Sequence, residues 1–306
     1  MNKITFSVVI PLYNKENHIN RAVDSVLNQS YQQFEIIVVD DGSTDDGASY
    51  VENYEDSRVK LIKQKNKGVS AARNKGIKNA KYDFIGLLDA DDAWKKDFLK
   101  EITLLIKDYP DNAVYATSYE SYFDEENINK TKFSDMDDKF RGVVDNYFKY
   151  SLNGSLISAS SVVIKKEIFN KVGFFDELLT RGEDLDMWFR IVLDSDLVFI
   201  NKVLAIYYKN ADNRACEKFF PFKKSFIRKM INNIDYYKLN NNKHNIKYID
   251  NLLVSKAKSL ILLGEKQKVR DIIKNIDNKF ILLFYYFISY IPNNLIIIIK
   301  NFWKSF

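Results

Sequence analysis

The chain has 306 residues, 46% of them hydrophobic, so it is long and apolar enough to bury a substantial core, and a disordered protein is excluded. Its net charge of +5 is unevenly distributed. Residues 1–219 carry 30 Lys and Arg against 36 Asp and Glu, whereas residues 220–306 carry 16 against 5. We therefore expect two domains, divided after residue 219.

The chain has too few cysteine and histidine residues for a disulfide or a structural zinc site. The single Cys216 cannot form an intramolecular disulfide, and His18 and His244 lie far apart in the chain, so no structural zinc site is expected. No apolar signal segment precedes the first predicted strand, which leads us to expect a cytosolic catalytic part.

The N-terminal half alternates predicted strands and helices. Short β-branched runs that end in polar residues, as buried parallel strands do, occupy 7–14, 34–43, 59–62 and 84–88. Helical spacing of apolar residues occupies 19–27 and 70–80. This order predicts an α/β fold, in which ligands bind outside the carboxyl ends of the strands.

The remainder predicts further elements in a less regular order. These are a helix over 94–107, a strand over 113–118, a surface loop over 124–138, a strand over 160–164, helices over 166–172 and 184–193, and a strand over 198–208. From about residue 219 onward the patterns predict helices only.

The fourth predicted strand ends in a cluster of three carboxylates, Asp89, Asp91 and Asp92. Carboxylates this close repel one another unless a proton or a metal neutralises them. Their hard oxygens suit Mg²⁺ or Mn²⁺, which can bridge to the phosphates of a nucleotide. Taken alone, the pattern is also typical of a solvated turn or a helix cap.

Five segments in chain order carry a family resemblance: VIPLYN at 9–14, VDDGSTD at 39–45, NKGVSAARN at 66–74, LDADD at 88–92 and GED at 182–184. Together they resemble family 2 glycosyltransferases, over roughly residues 5–210. The resemblance implies the GT-A fold, a mixed and mainly parallel sheet flanked by helices, here followed by a C-terminal α-helical region. No Gly-x-Gly-x-x-Gly follows the first strand and no Gly-x-x-x-x-Gly-Lys-Ser/Thr loop occurs, so a dehydrogenase or a P-loop kinase is disfavoured.

The resemblance assigns donor-binding roles. Asp41 is similar to the family aspartate that accepts the uracil N–H, Pro11 and Tyr13 to the wall beside the base, and Arg73 to a donor-site arginine. The remaining residues that the resemblance places in the donor site are Asn14, Glu16, Asp89 and Ala90. Each of two residues also has a purely structural alternative: Tyr13 could be an aromatic that packs the strand end, and Arg73 could be a surface charge on a helix.

The metal and the base follow the same resemblance. Asp91 is the first choice as ligand for Mn²⁺ or Mg²⁺, while Asp89 and Asp92 share that task or bind the ribose hydroxyls. Inversion is a single displacement, so the acceptor hydroxyl must lose a proton as it attacks. Asp184 matches the family base, and Glu183 orients the acceptor or the base. The alternative is an acidic helix N-terminus, which the helix dipole alone favours.

Three features found in members of the family are missing. Many family members have a His in a Tyr-Arg-x-His context after the last strand, whereas residues 207–212 of this chain read YYKNAD. Any metal or phosphate contact that this His makes in the family must therefore come from Lys209, Asn210 or Asp212, or be absent. The Gln-x-x-Arg-Trp motif and the transmembrane helices of processive synthases are also missing. We therefore expect the transfer of one sugar, or a few.

The C-terminal part holds two apolar runs, 280–291 and 295–299, followed by Lys300, Trp303 and Lys304. Each is shorter than the roughly 20 residues that span a bilayer. The preferred interpretation is an anchor in the membrane interface, with Lys and Arg against anionic lipid. The alternatives are a helical domain packed on the catalytic sheet and, from charge alone, a nucleic-acid binder.

The sequence thus predicts an inverting, metal-dependent glycosyltransferase. It would move one hexosyl or N-acetylhexosaminyl group from a UDP-sugar to a lipid-linked, lipopolysaccharide or capsule oligosaccharide at the inner face of a bacterial plasma membrane. One alternative is a membrane-tethered nucleotide-sugar-binding protein without turnover, which the presence of Asp41, Asp91 and Asp184 disfavours. Another is transfer to a soluble or protein acceptor.

Overall fold

The computed structural model describes residues 3–211, 221–238 and 242–290. The chain divides into two compact units, Met1–Lys224 and Ser225–Phe306. The domain boundary predicted after residue 219 falls among residues 212–220, outside the described residues.

The first unit begins as an alternation of strands and helices. Its elements are β1 (Phe6–Leu12), α1 (Ile19–Leu27), β2 (Phe34–Asp40), α2 (Gly47–Glu52), β3 (Val59–Lys63), α3 (Val69–Asn79) and β4 (Phe84–Leu87). β1 pairs in parallel with β2 and β4, and β2 pairs in parallel with β3. Every residue of β2 is buried, as the predicted apolar run requires of a strand covered on both faces.

The second half of this unit completes the sheet. Its elements are β5 (Ala93–Trp94), α4 (Phe98–Asp108), β6 (Val114–Tyr122), β7 (Ile128–Lys130), β8 (Arg141–Val143), α5 (Tyr147–Tyr150), β9 (Val162–Lys165), α6 (Ile168–Val172), α7 (Glu183–Asp194) and β10 (Leu197–Tyr208). The strand order is β3-β2-β1-β4-β9-β6-β10-β5, with β7 on β6 and β8 on β10. β9 is antiparallel to β4 and β6, so the predicted mixed sheet is confirmed.

Helix α3 lies very close to β1. A Cβ built on Gly76 would come within 2.3 Å of Val9 Cγ1, a distance that real Cβ contacts do not reach. Only glycine permits this approach, because any side chain would push the helix off the strand. The contact brings Arg73 and Asn74, on the same helix, towards the strand ends.

Trp94 does not begin a helix, contrary to the sequence prediction. It lies in β5, which pairs antiparallel with β10, and α4 starts at Phe98. The indole stacks on Phe98 with 4.1 Å between ring centroids, and its Nε1 donates to the Ser160 carbonyl oxygen at 2.6 Å. It also covers Gly86, where a Cβ would lie 2.8 Å from the indole. Tertiary packing therefore overrides the local helical pattern.

The loop predicted over 124–138 contains strand β7, which pairs antiparallel with β6. The hairpin turn is closed by Asp124, whose Oδ1 accepts from the Asn127 backbone N–H at 2.9 Å. An Asp at the start of a turn favours this bond, so the charged segment folds back as a short hairpin.

The second unit is helical where it is described, as predicted. Its helices are α8 (Phe226–Asn232), α9 (Ile234–Tyr237), α10 (Lys243–Leu262), α11 (Lys266–Ile273) and α12 (Lys279–Ile288). None of these described helices has both the length and the apolar character needed to cross a membrane. Most of the apolar run 280–291 lies in α12, whereas 295–299, Lys300, Trp303 and Lys304 fall outside the described residues.

Candidate active site

The loops that follow β1 and β2 are tied together at the carboxyl edge of the sheet. Asn14, which has a left-handed φ of 51°, accepts from the Thr44 backbone N–H at 2.8 Å. The Glu16 backbone N–H donates to Asp45 at 2.9 Å, and the Glu16 carboxylate accepts from the Asp46 backbone N–H at 3.0 Å. These loops line an open cavity of about 320 Å³. The predicted donor residues Asn14 and Glu16 thus lie at this edge and hold its two loops.

Asp41 is buried and fixes the loop that enters α3. Its Oδ1 accepts from Gln64 Nε2 and from the Lys67 backbone N–H, both at 2.8 Å, and its Oδ2 accepts from the Gly68 backbone N–H at 2.7 Å. A carboxylate accepts about four hydrogen bonds, so Oδ2 keeps room for one further donor. The predicted contact with a uracil N–H stays compatible with this arrangement.

The other residues assigned to the base wall differ in exposure. Tyr13 is 40% exposed, so more than a third of its surface is accessible at the strand end. Pro11 lies in β1 opposite Val39, and Ala90 is buried. Only Tyr13 of these three presents a large accessible side chain at the strand end, and its role in base binding stays a prediction.

Residues 89–92, which follow β4, form the acidic turn, and two of its carboxylates are paired with basic side chains. Asp89 Oδ1 accepts from Arg73 Nη2 at 2.7 Å, and Asp91 Oδ2 accepts from Lys15 Nζ at 2.7 Å. Both acidic side chains stay partly exposed, at 30% for Asp89 and 17% for Asp91. The two neighbouring aspartates therefore point towards different partners.

Asp92 points into the interior. It is 2% exposed and accepts from the Ser160 hydroxyl and from the Tyr208 backbone N–H. Burial raises the pKa of Asp92 well above its ordinary value, and the charges of Asp89 and Asp91 raise it further. The same Ser160 hydroxyl accepts from the Asp89 backbone N–H at 3.1 Å, so Asp92 anchors the acidic turn to the rest of the sheet.

The three carboxylates do not converge on one point. Among the described residues, no group of three or more Asp, Glu, His or Cys side chains is placed to hold a metal ion. A Mg²⁺ ion between a protein and a diphosphate needs only one or two carboxylates, because phosphate oxygens and waters complete its shell. The partly exposed Asp91 and Asp89 fit that mode, whereas the oxygens of Asp92 are engaged in the interior.

The sequence did not single out two basic residues that hold the acidic turn. Besides Lys15, Arg21 donates from Nη2 to the Asp91 carbonyl oxygen at 2.5 Å, and its guanidinium lies 3.6 Å from the centroid of the Tyr208 ring. The available signal was positional: both follow β1, whose carboxyl end shares an edge with the acidic turn after β4.

Helix α7 begins with the two residues predicted for acid–base chemistry. Gly182 precedes it with a left-handed φ of 77°, and Glu183 and Asp184 form its first turn. Burial raises the pKa of Asp184 to about 6, the charge of Glu183 raises it too, and Arg73 opposes both. Asp184 therefore lies at a helix start, and its carboxylate has a proton affinity that suits a general base near neutral pH.

Arg73 connects this helix start with the acidic turn. It is 3% exposed, which rules out a surface charge. Its Nη1 donates to Glu183 Oε1 at 3.1 Å and its Nη2 donates to Asp89, while the guanidinium lies 5.2 Å from the centroid of Phe175. Residues from α3, the acidic turn and α7 thus form one charged cluster.

The residues predicted to replace the missing family histidine lie at the end of β10. Lys209 Nζ is 5.0 Å from the Phe123 ring centroid and 5.9 Å from that of Tyr207. Asn210 follows in a turn, and Asp212 lies outside the described residues. These contacts place the ammonium group against aromatic rings.

Residues 7–173 match the family model described as Glycosyl transferase family 2. The chain is 34% identical over 200 residues to an uncharacterized glycosyltransferase of Rickettsia typhi, covering 65% of this chain and 62% of that protein. It is 31% identical over 218 residues to Glycosyltransferase GlyG of Streptococcus pneumoniae, covering 67% and 71% of the two chains. The match thus spans less than two thirds of the Rickettsia protein.

The fold is similar to that of S. aureus TarS 1–349 in its complex with UDP-GlcNAc. The TM-score is 0.73 over 89% of this chain and 82% of that one, at 20% sequence identity. Because the family model covers more than half of the residues and the architecture agrees, the chain belongs to family 2 of the glycosyltransferases and has the GT-A fold.

Proposed function

We propose that this glycosyltransferase moves one hexosyl or N-acetylhexosaminyl group from a UDP-sugar to an acceptor hydroxyl, with inversion at the anomeric carbon. The observation that carries the proposal is the position of the partly buried Asp184 in the first turn of α7, next to the Glu183–Arg73 pair, where its pKa of about 6 suits a general base near neutral pH. UDP as the nucleotide is supported by the complexes of S. aureus TarS with UDP-GlcNAc and with UDP.

The donor is proposed to lie at the carboxyl edge of β1, β2 and β4. The exposed Tyr13 and the edge residue Pro11 flank the base, and the remaining acceptor position of Asp41 takes the uracil N–H. The partly exposed Asp89 and Asp91 border the side on which the diphosphate would lie. This placement follows the general rule that open α/β sheets bind ligands outside their strand ends.

Asp91 and Asp89 are the residues proposed to hold Mg²⁺ or Mn²⁺. When bound, such an ion supplies positive charge against the diphosphate leaving group. Lys15 lies 2.7 Å from the Asp91 carboxylate, so it has to move aside for the ion. Asp92 keeps the turn in place from the interior, through Ser160 and the backbone of Tyr208.

The transfer is a single displacement. The acceptor oxygen forms a bond to the anomeric carbon as the bond from that carbon to the diphosphate oxygen breaks, and the electron pair stays on the diphosphate. Asp184 takes the proton of the acceptor hydroxyl, so it has to be deprotonated when the acceptor binds. The products are the glycosylated acceptor, UDP and a protonated Asp184, which returns its proton to solvent.

The acceptor is proposed to be a lipid-linked, lipopolysaccharide or capsule oligosaccharide at the inner face of a bacterial plasma membrane. Helix α12 presents Phe280, Leu283, Phe284 and Phe287 at helical spacing, each more than half exposed. Residues 225–306 carry 14 Lys and Arg against 5 Asp and Glu. Large apolar side chains and a basic surplus match an anionic lipid surface, so we propose that α12 docks there.

The proposed function is tested by incubating the purified chain with a panel of UDP-sugars and Mn²⁺ and measuring the release of UDP. We expect hydrolysis of one UDP-sugar above all others, accelerated by a matching lipid-linked acceptor. Binding of UDP without turnover of any sugar would instead support a nucleotide-sugar-binding protein. Turnover only with soluble or protein acceptors would refute the lipid-linked assignment.

A further inference from the structure

Arg73 bridges two carboxylates that come from distant parts of the chain. Its two terminal nitrogens donate to Asp89 and to Glu183, which lie 16 and 110 positions away in sequence. The side chain is 4% exposed, and the guanidinium lies over Phe175. Because Nη1 and Nη2 each donate a hydrogen bond to a different carboxylate, the guanidinium links the acidic turn to α7.

Asn74, the next residue, reinforces the same connection. Its side-chain amide accepts from the Phe175 backbone N–H and donates to the Phe175 carbonyl oxygen, both at 2.9 Å. It also donates to Glu177 at 2.9 Å. Helix α3 therefore holds the segment that leads to α7, and Arg73 holds the first residue of α7.

The two neighbouring carboxylates of α7 are placed in different surroundings. Glu183 is paired with the guanidinium, while Asp184 Oδ1 accepts from the Leu185 backbone N–H at 2.8 Å. Within the described part of the chain, the charged and titratable groups that act on Asp184 are Glu183 on its own helix, Arg73 on α3, Asp89 in the acidic turn, Tyr119 on β6 and Tyr147 on α5. Arg73 is the cation among them.

We propose that Arg73 is a positioning residue that gives Glu183 and Asp184 separate roles, holding Glu183 and Asp89 as a fixed charged frame and leaving Asp184 to act as the base. This inference rests on the proposed function. It replaces the donor contact that the sequence assigned to Arg73, because the guanidinium already has carboxylate partners at both ends. A lysine cannot substitute, since one ammonium group cannot span both carboxylates as the planar fork does.

The inference is tested on the full chain with Arg73→Gln and Arg73→Lys, by recording kcat/KM against pH. Arg73→Gln removes a positive charge that lowers the pKa of Asp184, so the acidic limb of the profile should move upward by about one pH unit or more. Arg73→Lys keeps the charge and should leave the limb close to wild type while kcat falls. The side-chain carbon-13 signal of Asp184, assigned with Asp184→Asn, reports the same titration without turnover.

A matched control is Arg190→Gln, which breaks the buried pair of Arg190 with Asp186 farther along α7. It should lower the unfolding temperature and leave the acidic limb unmoved, as a purely structural role would. An unmoved limb in Arg73→Gln, with a raised KM for the UDP-sugar alone, would show that Arg73 binds the donor and overturn the inference. If wild type transfers no sugar, the proposed function fails, while the carbon-13 titration still decides whether Arg73 controls Asp184.

Discussion

Lys15 Nζ lies 2.7 Å from Oδ2 of Asp91, so the first-choice metal ligand is paired with a cation of the chain itself. The two side chains are 11% and 17% exposed, which strengthens their attraction relative to a fully solvated pair. A divalent ion at Asp91 and the Lys15 ammonium group would compete for one carboxylate. Metal affinity should therefore depend on Lys15 as well as on the acidic residues.

Substituting Lys15 and substituting Asp91 should change the affinity for a metal ion in opposite directions. Lys15→Met keeps the length of the side chain and removes the competing charge, so Mn²⁺ should bind more tightly in the presence of UDP. Asp91→Asn should lower the affinity for Mn²⁺ by at least about tenfold, since even the loss of a residue that only hydrogen-bonds to a metal ligand lowers the affinity that much. Isothermal titration measures both, with Arg58→Met as a control at a surface ion pair. Full transfer activity in excess chelator would show that no ion is needed.

Asp184→Asn should abolish most turnover and keep the fold. Asn preserves shape and hydrogen bonding but cannot accept a proton, and a general base contributes typically ~10²–10⁴-fold. We expect kcat to fall by that factor, with unchanged affinity for UDP. Asp194→Asn, at the exposed far end of α7, is the matched control. Activity within about threefold of wild type, far short of that factor, would move the base to Glu183.

The raised pKa of Asp184 predicts a dependence on pH in activity and in stability. Activity should fall as the pH drops through about 6, because Asp184 becomes protonated. The folded state binds its proton more tightly than the unfolded state, so Asp184 lowers the free energy of unfolding as pH rises from about 4 to 6. The neutral Asp184→Asn should thus unfold at an equal or higher temperature than wild type at pH 7.5, with a smaller difference at pH 4. An unfolding temperature of Asp184→Asn below that of wild type at pH 7.5, with no such decrease at pH 4, would contradict this prediction.

Asp92 should matter for stability more than for metal binding. Asp92→Ala leaves the Ser160 hydroxyl and the Tyr208 N–H without their partner in the interior, at about 1–3 kcal/mol for each unpaired group. Asp92→Asn keeps an acceptor and should cost less. Urea unfolding and Mn²⁺ titration separate the two roles. Loss of Mn²⁺ affinity in Asp92→Asn equal to that in Asp91→Asn, with unchanged stability, would identify Asp92 as a ligand.

The exposed face of α12 should control binding to anionic vesicles. The combined variant Phe280→Ser, Phe284→Ser and Phe287→Ser removes three large exposed side chains, so sedimentation with phosphatidylglycerol vesicles should be lost while turnover of soluble acceptors remains. Leu178→Ser, at an 81% exposed position of the first unit, should change neither. Unchanged vesicle binding would refute the proposal, and a change in oligomeric state alone would assign the face to a second copy of the chain.

The sequence alone determined the alternation of strands and helices and the edge at which the chemistry gathers. Buried parallel strands need continuous β-branched runs, and the polar residues that end such runs fall on one edge because parallel strands point the same way. Asn14, Asp41 and Asp89 could therefore be assigned to that edge without coordinates. The glycine that opens α7 and the acidic pair behind it are likewise local signals.

Only the tertiary structure decided what each carboxylate contacts. Asp89, Asp91 and Asp92 are near neighbours in sequence, yet their partners Arg73, Lys15 and Ser160 lie 16, 76 and 68 positions away. These contacts depend on which loops the sheet order brings together, and no local periodicity records that. Burial of Asp92 against the end of β10 and burial of Arg73 against α7 arise when distant elements pack. The division between the interior carboxylate that anchors the turn and those that stay partly exposed therefore appears only in the folded chain.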